Sequence, residues 1–315
     1  MKNTIVSIIM PTYNTPYKYL SEAIQSILNQ TFKDFELIII DDSSTEYNDP
    51  LEIKRIINED KRIRLISNQR SKGVAGALNT GLDNSCGKYI IRMDSDDISI
   101  NTRLEEQVDF MEHNHEISIL ATYAKEFGIS NRLLKSEKED YSIKTAFMFQ
   151  SGLVHPTICI RSDILNKYGL RYNEYVKNED YDLWTQCALI DEIKFATLPK
   201  VLLKYRTHKK QVTKTKSTEI TRNGLDVRMN YIKSISDSSR IYKLDLFVNY
   251  VLLRLDNFSA VEIKKSECSI IDNVSNKFSK KVFWYYSSKK ALRYLLRGKV
   301  TASYLWLYSI FKMYF

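Results

Sequence analysis

The sequence predicts an α/β fold: a mostly parallel sheet flanked by helices, followed by a C-terminal helical extension. Three observations predict it. Short β-branched runs alternate with helical periods through the first hundred residues. Polar, carboxylate-rich clusters stand where those runs end. After residue 220 the alternation stops, and helical periods with many aromatics take over.

Ile5 to Met10 (IVSIIM) ends at Pro11 and suits a buried parallel strand. Leu20, Ala23, Ile24, Ile27 and Leu28 then share one face of a helix. Phe35 to Ile40 is a second strand, running into Asp41-Asp42-Ser43-Ser44. Asp49-Pro50, an N-cap followed by proline at the first helical position, opens a short helix through Ile57. Ile63 to Ile66 is a third strand, Gly73 to Leu82 a helix, and Tyr89 to Met93 a fourth strand delivering Asp94-Ser95-Asp96-Asp97. A helix from about Asn101 to residue 114 precedes a strand from Ile117 to Ala121. Glu126 to Tyr141, charged and without pattern, reads as a mobile connection.

The 315 residues, 43% apolar and 27% charged, suffice for a large core. We expect a catalytic domain over residues 1–220 and a basic, aromatic-rich helical region over 221–315. Charge divides along the same boundary. The net +9 arises wholly beyond residue 220, where 17 Lys/Arg face 7 Asp/Glu and Asp272 is the last acid. From Asn273 onward, nine basic residues interleave with Phe283, Trp284, Tyr285, Tyr286, Tyr304, Trp306 and other aromatics. That composition suits helices lying on an anionic membrane surface, or a helical cap packed on the catalytic domain.

Cys86, Cys159, Cys187 and Cys268 form no metal-binding or CxxC spacing and read as small buried residues in a reducing compartment. No secretion signal and no transmembrane run are evident, so a soluble or peripheral protein is expected. No glycine-rich phosphate loop follows the first strand, which disfavours dinucleotide oxidoreductases and nucleotidyltransferases. A nucleic-acid binder would leave the acidic clusters unexplained, and no nucleic-acid partner is expected.

In parallel sheets, ligands bind beyond the carboxyl ends of the strands, where Pro11-Thr12-Tyr13-Asn14, Asp41-Asp42 and Asp94-Ser95-Asp96-Asp97 all fall. Three carboxylates within four residues repel one another unless a cation sits among them, and such oxygen ligands suit Mg²⁺ or Mn²⁺. A second acidic cluster, Asn178-Glu179-Asp180-Tyr181-Asp182-Leu183-Trp184, heads a helical run. Its carboxylates fit either a helix start or a general base.

Together these residues resemble the family 2 glycosyltransferases of the GT-A fold, of the bacterial capsule, O-antigen and exopolysaccharide type. The resemblance spans about residues 4 to 215 and rests on five ordered motifs. They are VSIIMPTYN (Val6–Asn14), ELIIIDDSS (Glu36–Ser44), KGVAGALNTG (Lys72–Gly81), GKYIIRMDSDD (Gly87–Asp97) and NEDYDLW (Asn178–Trp184). Leu78 stands where many relatives carry Arg.

The resemblance implies an inverting transfer of a hexose or N-acetylhexosamine from a UDP-sugar to a hydroxyl of a lipid-linked glycan. It implies nucleotide contacts from Pro11, Thr12, Tyr13, Asn14, Asp42, Lys72, Asn79, Asp94 and Ser95, and Mn²⁺ or Mg²⁺ held by Asp96 and His208. Asp180 would be the general base. His155, Glu179, Trp184 and Asp97 would line the sugar or the acceptor. The expected location is cytoplasmic, peripheral at the inner face of the cell membrane.

Overall fold

The computed structural model describes residues 4–44, 57, 59–208, 217–235, 246–247, 251, 259–273, 278–297, 299 and 302–314. The helix expected from Asp49-Pro50 to Ile57 lies almost wholly outside them.

The strands are β1 (Val6–Thr12), β2 (Phe35–Asp41), β3 (Ile63–Ser67), β4 (Tyr89–Arg92), β5 (Ile98–Ser99), β6 (Ile119–Gly128), β7 (Leu133–Leu134), β8 (Cys159–Arg161) and β9 (Phe195–Thr207). They form one sheet in the order β3-β2-β1-β4-β8-β6-β9-β5, with β7 beside β6. The β3-β2-β1-β4 half is parallel, as expected. Beyond it the sheet is mixed: β8 runs antiparallel to β4 and β6, and β9 runs parallel to β6 but antiparallel to β5.

Burial on both faces explains the unbroken apolar runs. Val6, Ile8 and Met10 of β1 face one core with Leu37 and Ile39 of β2, covered by α1 (Tyr17–Leu28) and α2 (Arg103–His113). Ile9, Ile38 and Ile40 face the other core. There they meet α3 (Val74–Asp83), α4 (Asp140–Ala146) and α5 (Glu179–Ala188). A short helix, α6 (Ser162–Lys167), follows β8.

β1 continues through Pro11 to Thr12, two residues past the expected end. Its pairing with β4 stops at Ile9, so beyond that point β1 has lost a neighbour, where proline's missing N–H is tolerated. The expected mobile connection 126–141 is instead ordered. β6 runs on to Gly128 and β7 turns back along it. The buried Glu126 carboxylate accepts hydrogen bonds from Arg132 at 2.7 and 2.8 Å and from Ser130, and this pairing is what a charge-rich sequence concealed.

The C-terminal helices are α7 (Ser217–Ile235), α8 (Ala260–Asn273), α9 (Lys280–Leu296) and α10 (Ala302–Tyr314). They bury Tyr231, Phe283, Trp284, Tyr286 and Tyr294 in the same core as Ile9 and Ile38. Phe149 stacks on Tyr286 and meets Phe247 and Phe283 edge-on. α10 leaves Tyr304, Leu307 and Phe311 exposed at helical spacing. Among the described residues no helix is long and apolar enough to cross a membrane. All four cysteines are free. Cys159 and Cys187 are buried as expected, whereas Cys86 is exposed and Cys268 half-buried.

Candidate active site

The three clusters expected at strand ends sit at the carboxyl ends of β1, β2 and β4. After β1, Thr12 is buried, Tyr13 is 49% exposed and Asn14 takes a positive φ of 49°. The Asn14 N–H donates to Ser44 Oγ at 3.1 Å, and the Asp42 N–H to the Thr12 carbonyl at 2.9 Å, so the loops after β1 and β2 are tied together. Asp42 accepts from Asn68 Nδ2 at 2.7 Å and from the Gly73 N–H at 2.8 Å. Gly73 has φ +127°, a conformation that side chains other than hydrogen resist, so this contact to the start of α3 depends on glycine. Lys72 Nζ lies 4.6 Å over the Tyr13 ring. Tyr13, Asn14, Asp42 and Lys72, expected to hold the nucleotide, therefore lie together, with Pro11 half-buried at the same strand end.

Three expected contacts are turned inward. Asn79 is buried and its amide is spent: Nδ2 donates to the Tyr172 carbonyl and to Glu174, and Oδ1 accepts from the Tyr172 N–H at 2.9 Å. In this conformation it holds the 172–174 segment instead of facing a nucleotide. Trp184 is fully enclosed, edge-on to His155 and Tyr172, and packs rather than lining an open surface. Ser95 is likewise buried, its hydroxyl 2.7 Å from Thr15 Oγ1.

The loop after β4 gathers charge. Ligand atoms of Asp94, Asp96 and Asp97 lie within 4.8 Å of one another. Asp97 is 0% exposed: Oδ1 accepts the Arg206 N–H at 2.8 Å, while Oδ2, also buried, has no hydrogen-bond partner. It is thus placed beneath the cluster and not on a surface open to an acceptor. Burial, and then Asp94 and Asp96, push its carboxyl well above the usual range. Burial and Asp94 also raise Asp96, against the lowering influence of His208. His208 Nε2 is 3.1 Å from Asp96 Oδ2. Three crowded carboxylates, of which Asp96 and Asp97 are pushed toward their protonated forms, an orphaned buried oxygen and an adjacent imidazole form a donor set suited to a hard divalent cation.

Arg206 locks β9 to this loop. Its Nε donates to the Asp96 carbonyl at 2.6 Å, and its guanidinium lies 4.1 Å over Tyr19 and 4.5 Å over Phe127.

The second acidic cluster starts α5, as expected. Glu179 and Asp180 are half-buried, and Asp180 Oδ2 accepts the Ser151 hydroxyl at 3.2 Å. Burial and the Asp180 charge bring Glu179 up to about 7. Burial also raises Asp180, partly offset by backbone and Ser151 hydrogen bonds and by Arg92. His155 Nε2 is 3.0 Å from Tyr172 Oη, and burial and Arg92 keep its imidazole neutral.

Arg92, to which the sequence reading gave no role, joins the two clusters. It is 8% exposed, and its Nη2 stands 2.5 Å from Asp94 Oδ1. Its charge bears on Glu179, Asp180, Tyr172 and His155. Nε and Nη1 are enclosed without hydrogen-bond partners. An arginine inside the apolar run Ile90–Met93 was the available signal, because buried charges are rare unless paired. Glu174 was also missed: it accepts from Arg70, Ser71 and Asn79, which hold it at about 2, and nothing in its sequence context marks it.

Comparison with known proteins agrees with this architecture. The family model "Glycosyl transferase family 2" matches residues 7–170. An uncharacterized glycosyltransferase of Methanocaldococcus jannaschii is 39% identical over 211 residues, 65% of this chain and 72% of the relative. The Escherichia coli UDP-Glc:alpha-D-GlcNAc-diphosphoundecaprenol beta-1,3-glucosyltransferase WfgD is 30% identical over 255 residues, 80% of this chain and 94% of WfgD. Among solved structures, S. aureus TarS 1–349 in complex with UDP-GlcNAc superposes with a TM-score of 0.62 at 16% identity, over 95% of this chain and 89% of TarS, a likeness of fold. A sheet that brings carboxylates to its strand ends, and a sequence whose family match covers half its length, lead to the same conclusion: the chain belongs to glycosyltransferase family 2.

Proposed function

We propose that this chain transfers a hexose or N-acetylhexosamine, with inversion, from a UDP-sugar to a hydroxyl of a lipid-linked glycan during assembly of a bacterial surface polysaccharide. One observation carries the reading: Arg92 is ion-paired to Asp94 at the end of β4 while its charge bears on Glu179 and Asp180 at the start of α5. A donor-binding loop and a candidate base thereby belong to one electrostatic unit. The names of WfgD, with its UDP-glucose donor and diphosphoundecaprenol acceptor, and of the TarS complex with UDP-GlcNAc support the donor and acceptor classes.

In this mechanism Tyr13 and Lys72 cover the base, and Asp42 orients it. Asp94 meets the ribose. Asp96 and His208, with Asp97 beneath them, would hold Mn²⁺ or Mg²⁺, which when bound would supply charge neutralisation at the diphosphate. Asp180 accepts the proton of the acceptor hydroxyl as the new O–C1 bond forms and the C1–O bond to UDP breaks on the opposite face of the sugar. A carboxylate whose affinity for a proton is raised by burial is a stronger base than one in water. Ser151 fixes Oδ2, which orients the carboxylate. The exposed Tyr304, Leu307 and Phe311 face of α10, in a chain segment with excess basic charge, fits contact with an anionic membrane at the cytoplasmic face.

The test is a panel of UDP-, GDP- and dTDP-sugars incubated with the protein and Mn²⁺ or Mg²⁺, read as slow release of the nucleotide diphosphate. The reading expects metal-dependent release from a UDP-sugar. Turnover of GDP- or dTDP-sugars alone contradicts the donor assignment.

A further inference from the structure

Asn68 follows β3 directly, outside the sequence motifs, and touches Asp42. Its Nδ2 donates to Asp42 Oδ1 at 2.7 Å and to the Ser71 carbonyl at 2.9 Å. Its Oδ1 accepts from the Arg70 N–H at 3.0 Å and from Thr80 Oγ1 at 2.8 Å. An asparagine amide has two hydrogens to give and two lone pairs to share, so this one is fully committed. Turning it over would set its oxygen against the Asp42 carboxylate and its N–H groups against the Arg70 N–H. The neighbours therefore fix which end meets Asp42. Thr80, buried on α3, also accepts the Gln69 N–H at 3.1 Å, so the amide is anchored to a helix and not only to a loop.

Asp42 is held from a second side. Its Oδ2 takes the Gly73 N–H at 2.8 Å, and its own N–H is tied to the Thr12 carbonyl beside Tyr13. Each carboxylate oxygen thus faces an N–H donor, and the group cannot rotate toward a new partner without breaking one of these bonds. What Asp42 keeps for a ligand is lone pairs in a fixed direction, to which the ligand must bring the hydrogen.

For a pyrimidine stacked at Tyr13, that requirement separates two bases. Uracil carries N–H at N3 and an oxygen on C4, whereas cytosine carries a lone pair at N3 and an amino group on C4. A carboxylate free to swing could follow the donor from one position to the other. One held by Asn68 cannot, and a site built around one donor position rejects the analogue that lacks it.

We infer that Asn68 is a positioning residue that sets base specificity: by holding Asp42 as a fixed acceptor, it selects uracil over cytosine in the donor nucleotide. This deepens the UDP-sugar reading and rests on it.

The experiment is calorimetric titration of the full-length protein with UDP and with CDP in the presence of Mn²⁺. The two probes share ribose and diphosphate, so metal and phosphate contacts cancel in the ratio of their affinities. Wild type is expected to bind UDP at least about tenfold more tightly than CDP. Asn68→Leu keeps the size of the side chain and removes its hydrogen bonds. It is expected to bring the two affinities within about threefold, chiefly by weakening UDP. A general loosening of the loop weakens both nucleotides alike, so the wild-type ratio in Asn68→Leu overturns the inference. Thr80→Val releases Asn68 Oδ1 without removing the amide and is expected to give a ratio between the two. It decides the matter should Asn68→Leu fail to fold, and the wild-type ratio there overturns the inference as well. Equal affinity of wild type for UDP and CDP overturns it while leaving the transferase reading standing. Failure of wild type to bind UDP removes the UDP-sugar reading and this inference together.

Discussion

His208 Nε2 stands 3.1 Å from Asp96 Oδ2, joining the end of β9 to the loop after β4 across 112 positions of the chain. If this pair grips the divalent ion, Asp96→Asn and His208→Ala both weaken its hold. The expected outcome is at least a tenfold higher metal concentration for half-maximal UDP-sugar hydrolysis, with a deeper loss for Asp96→Asn because it removes a charge. A metal titration of each variant checks this, and unchanged curves would remove both residues from the cation site.

Glu179 and Asp180 titrate together. With Glu179 raised to about 7 by burial and by Asp180, the pair gives up its last proton near neutrality, so kcat/KM rises with pH through about 7. Glu179→Gln removes a neighbouring negative charge, which lowers the proton affinity of Asp180 and moves this limb to lower pH. Arg92 lowers both carboxyls, so Arg92→Met moves the limb upward. Opposite displacements of the pH profile support the electrostatic unit described above. Displacements in the same direction contradict it.

Glu174 clamps Arg70, Ser71 and Asn79, next to Lys72 over Tyr13. Glu174→Ala frees this loop without touching the base or the carboxylate cluster. The expected effect is a donor KM raised about three- to tenfold with kcat within about twofold, the pattern of lost ground-state binding. Initial rates across UDP-sugar concentration distinguish it from a fall in kcat.

Glu267 is fully buried on α8, accepting the Ser287 hydroxyl, and burial lifts its carboxyl to about 8. The unfolded chain releases this proton near 4.5, whereas the folded protein keeps it to about 8. Folding is thus favoured below pH 4.5 by this group, and that contribution is lost as pH rises to about 8. Glu267→Gln abolishes the dependence, so the variant gains about 4 kcal/mol over wild type at pH 7.5 and less than about 1 kcal/mol at pH 5. Urea unfolding at the two pH values measures the difference, and a gain independent of pH contradicts the assignment.

The parallel half of the fold was legible because β1 and β2 are buried on both faces and read as continuous β-branched runs. The polar clusters were legible because they stop those runs. The mixed half was harder. β6 and β9 mix buried and exposed residues, and their pairing shifts register at Thr122 to Ala124, so of the two only Ile117–Ala121 reads as a strand. The approach of His208 to Asp96 depends on that pairing and on β5 meeting β9, contacts with no local signature. Asn79 and Trp184 show the same dependence on distant contacts. Their motif context suggested ligand contacts, but whether a polar or aromatic side chain points into a cleft or into the core depends on neighbours far along the chain, here Tyr172, Glu174 and His155.

The most direct test of the central claim separates donor binding from transfer in Asp180→Asn. The account predicts that UDP affinity in the presence of Mn²⁺, measured by calorimetry, stays within about threefold of wild type while sugar transfer falls about a hundredfold or more. Transfer at the wild-type rate in a folded Asp180→Asn protein would contradict it.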